Sequence, residues 1–363
     1  MAIKNSIIRD INVRPVLVPM RRPILTGGGA LEACPLVLVD MQTTEGLTGS
    51  TYVFCYSPLI LKPMVSLLDG LGTMLSGEQV VPHVLSEKLQ KTFRLLGPQG
   101  LATMAVAAID MATWDLCAKA AGMPLVKLLG GDTQPIPAYN SNGLGIMDVT
   151  RVRKEAQELV NAGFYAIKVR LGYPDARTDV KIVRAIREAV PDNVRIMSDY
   201  NQALSVPEAI QRVAALDQEG LYWIEEPIRA DNYEGYAQIK QTCTTPIQLG
   251  ENFWGPHDMG KAIAAKSGDF LMPDVNKIGG VSGWVEAASL CRTDDIPLSS
   301  HLYPEVSAHL LAASSSRHWL EYVDWAEPIL EEPVRLEDGH ILPSVKPGTG
   351  IAWNETAVNR HLV

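Results

Sequence analysis

Several features that would place a chain in a membrane, on nucleic acid or in a disulfide-stabilised fold are missing or scarce. Five of the 363 residues are cysteines, at positions 34, 55, 117, 243 and 291, and their wide, unpaired spacing suits neither disulfides nor a zinc site. We expect buried thiols in a cytoplasmic protein. The net charge of −9, without any basic run, argues against nucleic acid as a partner. No apolar stretch approaches the ~18 residues of a membrane span and the first residues resemble no signal peptide, so we expect no membrane partner.

The first 130 residues have the pattern of a small α+β domain. Residues 3–19 alternate as a strand, and residues 35–41 and 48–54 predict a hairpin. Helical periodicity follows over 59–75, 85–95 and 101–121. Residues 21–30, which contain three glycines at 27–29, predict an irregular segment that could act as a mobile lid. A phosphate-binding loop is disfavoured there, because no Gly-Lys-Ser/Thr and no immediate helix follow.

From Ile136 a strand-plus-helix repeat begins, in which each apolar run ends in a charged or imidazole side chain. Successive steps from Asp199 are 26, 26, 23 and 27 residues long, which is the length of one strand and one helix. Such units form a parallel sheet, and when the sheet closes into a barrel the carboxyl ends of its strands meet on one face. The residues expected to converge there are Lys168, Arg170, Asp199, Glu225, Glu251, Asp274, His301 and Glu321.

The side chains at these strand ends indicate a metal site and a base. Asp199, Glu225 and Glu251 offer only oxygen ligands, which Mg²⁺ prefers, and the ion would relieve the repulsion among the three carboxylates. Asp274 could fix the tautomer of His301 and make its second ring nitrogen a stronger base. We expect a Mg²⁺-dependent site that removes a proton next to a substrate carboxylate.

Three further residues have roles that depend on their orientation or protonation. Lys168 and Arg170 lie two apart on one strand, so both point either into the barrel, towards a carboxylate, or out to solvent. Glu321 could donate a hydrogen bond to the substrate if burial kept it protonated. Asn201 is a candidate partner for a substrate hydroxyl.

The motifs of this barrel resemble those of the enolase superfamily, mandelate racemase subgroup. They are Lys168-x-Arg170, Asp199-Tyr200-Asn201, Ile224-Glu225-Glu226-Pro227, Gly250-Glu251-Asn252, Pro273-Asp274-x-x-Lys277-Ile278-Gly279-Gly280 and Ser299-Ser300-His301. The resemblance implies a modified (β/α)₇β TIM-type barrel over residues 131–329, and an α+β capping domain over 1–130 with a C-terminal return of 330–363. It implies Mg²⁺ on the three carboxylates and an enediolate intermediate, a chemistry for which this superfamily is a standard example. A homo-oligomer that acts on a small carboxylate is also implied.

The same resemblance assigns roles to individual residues. His301, paired with Asp274, would be the base, Lys168 would contact the substrate carboxylate beside the metal, and Glu321 would hydrogen-bond it from the far side. The substrate-binding positions would be Ile24, Leu25, Thr26, Phe54, Tyr56, Ser141 and Asn201.

Arg170 departs from the racemase pattern, in which a second lysine is the base on the opposite face. Neutralising an arginine at pH 7 costs about 7 kcal/mol or more, against about 4.6 kcal/mol for a lysine. The apolar residues of the cap nevertheless favour a racemase or epimerase of an aromatic or apolar 2-hydroxy acid, which is the leading hypothesis from the sequence. The alternatives are an acid-sugar dehydratase with His301 as its only acid and base, a reaction that uses Lys277 as base, and a carboxylate-binding protein without catalysis.

Overall fold

The computed structural model describes residues 6–26 and 29–363, apart from the side chain of Thr26. The helices are α1 Leu61–Leu75, α2 Pro82–Thr92, α3 Leu101–Ala121, α4 Leu125–Leu128, α5 Val149–Asn161, α6 Ala176–Ala189, α7 Val206–Leu216, α8 Tyr233–Lys240, α9 Pro256–Ala264, α10 Gly280–Thr293, α11 Pro304–Ala312 and α12 Glu355–His361. The strands are β1 Ile8–Thr26, β2 Gly29–Thr43, β3 Thr48–Phe54, β4 Ile136–Asn140, β5 Ala166–Arg170, β6 Arg195–Asp199, β7 Ile224–Glu225, β8 Ile247–Leu249, β9 Phe270–Leu271, β10 Leu320–Tyr322, β11 Arg335–Glu337 and β12 His340–Leu342.

The amino-terminal part is an antiparallel three-stranded sheet, in the order β1-β2-β3, with helices α1 to α3 packed on it. Gly49 of β3 is needed for this packing, because a Cβ atom there would lie 2.1 Å from the carbonyl oxygen of Ala112 in α3. The prediction of an irregular segment over residues 21–30 is wrong for most of its length, because these residues are largely in strands. β1 continues to Thr26 and pairs with β2 up to Thr26–Gly29, with a register shift between Pro19 and Ile24. Gly27 and Gly28 of the expected lid lie outside the described residues.

Two helical segments have the length and hydropathy of a membrane span, contrary to our expectation. They are Pro58–Leu75, with a mean hydropathy of 1.2, and α3, with 1.3. Of the α3 window, 78% is buried inside the protein. This helix carries Asp110 and Asp115, whose carboxylates accept hydrogen bonds from Ser282 and from Ser50 and Thr349. The high hydropathy of α3 therefore reflects its position between the sheet and the barrel.

The central part of the chain forms the expected barrel. Strands β4 to β9 pair in parallel in chain order, and β10 pairs in parallel with β4. Residues 298–301 fill the gap, through the bridges Leu271–Leu298, Asp274–His301 and Leu298–Arg317. The described residues thus contain eight rungs with seven helices, α5 to α11, between them, which confirms the (β/α)₇β barrel with an α+β cap.

The end of the chain lies against its beginning. Leu362 forms a bridge with Val16, and the backbone N–H of Val363 donates to Pro15 O at 3.2 Å. These contacts support the predicted return of the last residues to the cap. The division at residues 130 and 330 remains a proposal.

Candidate active site

The polar residues predicted at the strand ends meet at one mouth of the barrel. Asp199 and Glu225 are the last residues of β6 and β7 and stand in register with each other. Glu251 follows β8 by two residues, and Asp274 follows β9 by three. The backbone turns sharply here, since Asn201, Glu226 and Leu302 have φ angles of 45°, 34° and 49°. Strained backbone of this kind is concentrated at functional sites.

Asp199, Glu225 and Glu251 form an acidic cluster. One oxygen from each lies within 4.8 Å of the other two. Burial, together with the neighbouring carboxylates, raises the pKa of Glu225 to about 8. The cluster therefore needs positive charge to remain ionised.

The donor set fits Mg²⁺. Each of the three residues contributes a carboxylate oxygen, the ligand type that this hard cation prefers, and the oxygens are close enough together to share one ion. Hydrogen bonds from neighbouring residues orient two of these carboxylates. Asn201 donates to Asp199 through its backbone at 2.8 Å and its side chain at 3.0 Å, and Trp223 Nε1 donates to Glu225 Oε2 at 3.1 Å. Such contacts stabilise a ligand geometry that a divalent ion can use.

Lys168 points into the barrel and lies among the acids. Its Nζ is 2.6 Å from Glu225 Oε1, 2.7 Å from Glu321 Oε1 and 3.3 Å from Asp199 Oδ2. Burial would lower the pKa of Lys168, but the surrounding carboxylates hold it well above its usual value. The ammonium group is therefore a fixed positive charge at the acidic cluster.

His301 and Asp274 form the expected pair. His301 Nδ1 is 2.7 Å from Asp274 Oδ2, while Asp274 Oδ1 accepts the backbone N–H of Asn276 at 2.7 Å. The other ring nitrogen, Nε2, lies 3.3 Å from Glu251 Oε2. Burial would lower the pKa of His301, but the carboxylates around it raise the pKa to about 9. Nε2 thus faces the acidic cluster, where an incoming substrate would meet it.

Glu321 differs from the expectation of a protonated acid. Its Oε1 accepts from Lys168 and from Ser141 Oγ at 2.7 Å, and its Oε2 accepts the backbone N–H of Leu302 at 3.0 Å. Burial would raise the pKa of Glu321, but Lys168 and His301 hold it below its usual range. These contacts favour an ionised Glu321 over the expected neutral acid, because both of its oxygens accept hydrogen bonds and its nearest neighbours are positively charged.

Arg170 also points inward, and its guanidinium group is held by hydrogen bonds. One terminal nitrogen donates to Ser141 O at 2.6 Å and to Gly143 O at 2.9 Å, and the other donates to Ser141 Oγ at 2.8 Å. The side chain is 95% buried. Its Nε has no hydrogen-bond partner among the described residues. Three of the five N–H groups are therefore engaged, and the group presents the Nε N–H and a fixed positive charge.

A cavity of about 280 Å³ connects these groups. It is lined by Lys168, Arg170, Asp199, Asn201, Glu251, His301 and Glu321 and, from the cap, by Ile24, Leu31, Phe54 and Tyr56. A larger cavity, of about 480 Å³, lies between α2, α3 and α10 and is lined by His83, Trp254 and Ser282, well apart from the acidic cluster. The smaller cavity is therefore the candidate substrate site, because the titratable residues of the barrel mouth line it.

Two of the expected pocket residues lie elsewhere. Leu25 is 47% exposed, because neighbouring residues of an extended strand point to opposite sides and Ile24 takes the inward position. Ser141 is fully buried behind Arg170 and Glu321, to which it is bonded. It therefore supports the wall of the cavity. The side chain of Thr26 lies outside the described part of the structure.

Sequence reasoning missed Trp325, Leu302 and the contact of Lys277 with the cap. Trp325 lines the cavity and packs on Phe54, with ring centroids 5.1 Å apart. Lys277 Nζ lies 4.3 Å from the ring centre of Tyr56. Trp325 follows the last barrel strand and lies beyond the strand-plus-helix repeat, so the spacing of that repeat could not predict its position.

The chain resembles known proteins over nearly its whole length. The mandelate racemase/muconate lactonizing enzyme amino-terminal domain matches residues 8–130, and the enolase C-terminal domain-like family matches residues 151–357. The chain belongs to the enolase superfamily. The relatives named below and others, such as o-succinylbenzoate synthase, are enzymes, and the superfamily membership makes this chain an enzyme too.

Three relatives differ in the activity or the ligands with which they are described. L-talarate/galactarate dehydratase of Salmonella typhimurium is 34% identical, over 96% of this chain and 90% of its own. The 3,6-anhydro-alpha-L-galactonate cycloisomerase of Streptomyces coelicolor is 31% identical, over 92% and 93%. The crystal structure of an enolase from Bradyrhizobium in complex with magnesium and mandelic acid is 41% identical, covers 99% of both chains and superposes with a TM-score of 0.95. The activities named for the curated relatives favour the dehydratase alternative over a racemase. The cytoplasmic location and the homo-oligomer stay predictions.

Proposed function

We propose that this enzyme catalyses the Mg²⁺-dependent dehydration of a 2,3-dihydroxy carboxylate to a 2-keto-3-deoxy acid. Asp199, Glu225 and Glu251 would hold the ion, as their shared oxygen cluster allows. The Bradyrhizobium relative binds magnesium, which supports this assignment. When bound, the ion would stabilise the negative charge that develops on the substrate carboxylate as the α-proton leaves.

Lys168 would complete the binding of the carboxylate. Its buried ammonium group stands among the acidic residues, 2.6 Å from Glu225 and 3.3 Å from Asp199. As the α-proton leaves, a second negative charge develops on the substrate carboxylate. A fixed cation at this position stabilises that transition state more than it stabilises the singly charged starting substrate. Glu321, ionised and bonded to Ser141 and Lys168, would hold that ammonium in place.

His301 would carry out both proton transfers. Its Nε2 takes the proton from C2, and the C–H electron pair forms a C1–C2 double bond while negative charge moves onto the carboxylate oxygens. That charge then returns to form the C2–C3 double bond as the C3–O bond breaks and its electron pair leaves on the hydroxyl oxygen. The same imidazolium then gives its proton to the departing hydroxyl, which leaves as water, and the enol product tautomerises to the keto acid. Asp274, at 2.7 Å from Nδ1, fixes the tautomer that leaves Nε2 free to accept.

The observation that carries this proposal is the fixed guanidinium of Arg170. Its three hydrogen bonds to Ser141 and Gly143 are stronger when the donor is charged, so they add to the cost of forming a neutral arginine. A racemase needs a second base on the face opposite His301, whereas a dehydratase with syn geometry needs only His301. A cavity in which His301 is the one group placed as a base therefore supports dehydration.

Unpaired polar atoms in the cavity support a hydroxylated substrate. Arg170 Nε, Asn201 Oδ1 and Trp325 Nε1 are buried and have no hydrogen-bond partner among the residues described, and all three residues line the cavity. Buried donors and acceptors are nearly always paired. Two donors and one acceptor suit a substrate with hydroxyl or carboxylate groups beyond C2.

A racemase of aromatic 2-hydroxy acids is the second candidate. The aromatic wall favours it, since Phe54 lies 4.4 Å from Tyr56 and 5.1 Å from Trp325, measured between ring centroids. The relative that binds mandelic acid adds support. Such a reaction would require Arg170 or Lys168 to act as the second base.

One experiment separates these candidates. The enzyme is incubated with Mg²⁺ in heavy water, first with a panel of acid sugars and then with each enantiomer of mandelate. We expect a keto acid, detected as its semicarbazone, from an acid sugar, and at most one-sided deuterium exchange from mandelate. Inversion of mandelate without keto-acid formation would overturn the proposal in favour of the racemase. Exchange that persists in His301→Asn would instead point to Lys277 as base, and no turnover or exchange with any acid would favour a binding protein.

A further inference from the structure

The loop that follows His301 has an unusual backbone. Leu302 and Tyr303 both have positive φ angles, 49° and 51°, although neither is glycine. The backbone N–H of Leu302 donates to Glu321 Oε2 at 3.0 Å, and its carbonyl accepts from Ser307 Oγ at 2.8 Å. Two consecutive residues in this region persist only where the surroundings hold them, so the position of Tyr303 is strongly determined.

Tyr303 reaches from the barrel to the cap sheet. Its side chain is 1% exposed, and its hydroxyl accepts the backbone N–H of Phe54 at 2.9 Å. Its ring is stacked on Tyr52, with centroids 4.9 Å apart and planes 21° apart. β3 is an edge strand of the cap sheet, so the N–H of Phe54 that faces away from β2 depends on a partner from outside the sheet.

Phe54 in turn is a wall of the substrate cavity. It is 4% exposed, lines the cavity and contacts Tyr56 and Trp325. The residue at one end of this hydrogen bond therefore faces the substrate, while the residue at the other end is two positions from the base His301. One phenolic oxygen connects the cap wall to the base-bearing loop.

We propose that Tyr303 is a positioning residue that sets the distance between the Phe54 wall and His301 and thereby the fit of the substrate side chain. This inference rests on the proposed function, because it assigns Phe54 to substrate binding and His301 to the reaction. A second bond at the same interface, from Tyr52 OH to Glu305 Oε2 at 2.7 Å, holds β3 to the start of α11 without involving the Phe54 amide. It provides the matched control.

Tyr303→Phe tests the inference, since it retains the stacked ring and removes only the hydroxyl. We expect amide hydrogen exchange at Phe54, followed by NMR or fragmentation mass spectrometry, to accelerate about fivefold or more, the loss expected for one hydrogen bond. For the substrate found in the acid screen we expect KM to rise by a similar factor, about fivefold, with kcat changed less than about twofold. Tyr52→Phe should leave the exchange of the Phe54 amide and KM unchanged.

The possible results separate this inference from the proposed function. Faster exchange at Phe54 together with the change in KM supports a positioning role. Unchanged exchange at Phe54, an equal effect of Tyr52→Phe, or a fall in kcat alone would overturn it. The amide exchange needs no substrate, so it stands even if the acid screen fails, and only the heavy-water experiment with His301→Asn bears on the reaction itself.

Discussion

His301 and Arg170 lie on different rungs around one cavity, and their nitrogen atoms are engaged in different ways. His301 has one short bond, from Nδ1 to Asp274, and its Nε2 faces the acidic cluster and the cavity. Arg170 uses both terminal nitrogens in bonds to Ser141 and Gly143. A group that exchanges a proton needs a free nitrogen with a pKa within reach of neutral pH, whereas a group that only binds an anion is best held rigid. Under the proposed function, the cavity therefore has a proton-transfer side at His301 and an electrostatic side at Arg170.

The largest expected effect is that of removing the base. His301→Asn should lower kcat for dehydration, and deuterium exchange at C2, by about 10³-fold or more, since general base catalysis contributes up to about 10⁴-fold. Asparagine keeps the polar shape of the side chain. Mg²⁺ binding, measured by calorimetry, should persist, which distinguishes loss of the base from loss of the metal site. Near-normal deuterium exchange in this variant would show that His301 is not the base.

Removing Mg²⁺ should abolish activity, with full recovery on its return. Without the ion, the cations that contact the acidic cluster among the described residues are Lys168 and His301. Dialysis against a chelator and back-titration with Mg²⁺ measures this, and Ca²⁺ serves as the control because it prefers more ligands at longer distances. Turnover by the metal-free enzyme would contradict the assignment of Asp199, Glu225 and Glu251.

Arg170→Lys replaces the fixed guanidinium group with an amine that could act as a second base. A neutral lysine at pH 7 costs about 4.6 kcal/mol, roughly 2.4 kcal/mol less than a neutral arginine. The variant also loses the planar bonds to Ser141 and Gly143, so we expect dehydration to fall by about 10- to 100-fold. Slow deuterium exchange from the second enantiomer of a 2-hydroxy acid should appear. Arg170→Gln, which cannot act as a base, is the control, and equal exchange in both variants would mean that no second base had been created.

The charge on His301 should respond to the metal. Without Mg²⁺ its carboxylate neighbours raise the pKa to about 9, and an ion bound to Glu251 should lower this value by offsetting the nearest negative charge. NMR titration of the ring, with His301→Asn to assign the signal, measures both values. If Mg²⁺ leaves the pKa of His301 unchanged, the assignment of Glu251 as a ligand of the ion is wrong.

The raised pKa also has a consequence for stability without the metal. Because the folded state binds the imidazole proton more tightly, His301 stabilises the metal-free protein fully below about pH 6.5, the ordinary value of histidine. That contribution is lost as the pH rises through about 9. Denaturant unfolding in chelator at pH 6 and pH 9.5 should show a decrease that is smaller in His301→Asn.

The sequence predicted the barrel and the residues at its mouth because both follow from a local repeat. Each apolar run and its terminal side chain could be identified separately, and parallel pairing brought the ends together. The run of β1 to Thr26 was missed because its pairing with β2 is interrupted over residues 20–23 and resumes only at Ile24–Leu31, which breaks the alternation in the sequence. The ionisation of Glu321 and the bonds of Arg170 were missed because they depend on residues far away in the chain, Lys168 and Ser141. Such partners are set by tertiary packing and leave no mark in the spacing.

The smallest expected effect concerns Ser141, which connects the two sides. Its hydroxyl donates to Glu321 and accepts from Arg170, while its carbonyl accepts a further bond from Arg170. Ser141→Ala removes the two hydroxyl bonds and keeps the carbonyl, so kcat/KM should fall by about five- to tenfold, which corresponds to roughly 0.5 to 0.7 kcal/mol for each of the two bonds.

The size of that loss separates two explanations for the fixed guanidinium. If the backbone carbonyls of Ser141 and Gly143 hold Arg170, the alanine variant should show no exchange from the second enantiomer, and Ser141→Thr, which restores a hydroxyl, should recover most of the activity. If the hydroxyl alone keeps Arg170 charged and in place, Ser141→Ala should approach the 10- to 100-fold loss expected for Arg170→Lys. The two carbonyl bonds, at 2.6 Å and 2.9 Å, favour the first outcome, because a charged group bonded to backbone oxygens remains held when one side chain is shortened.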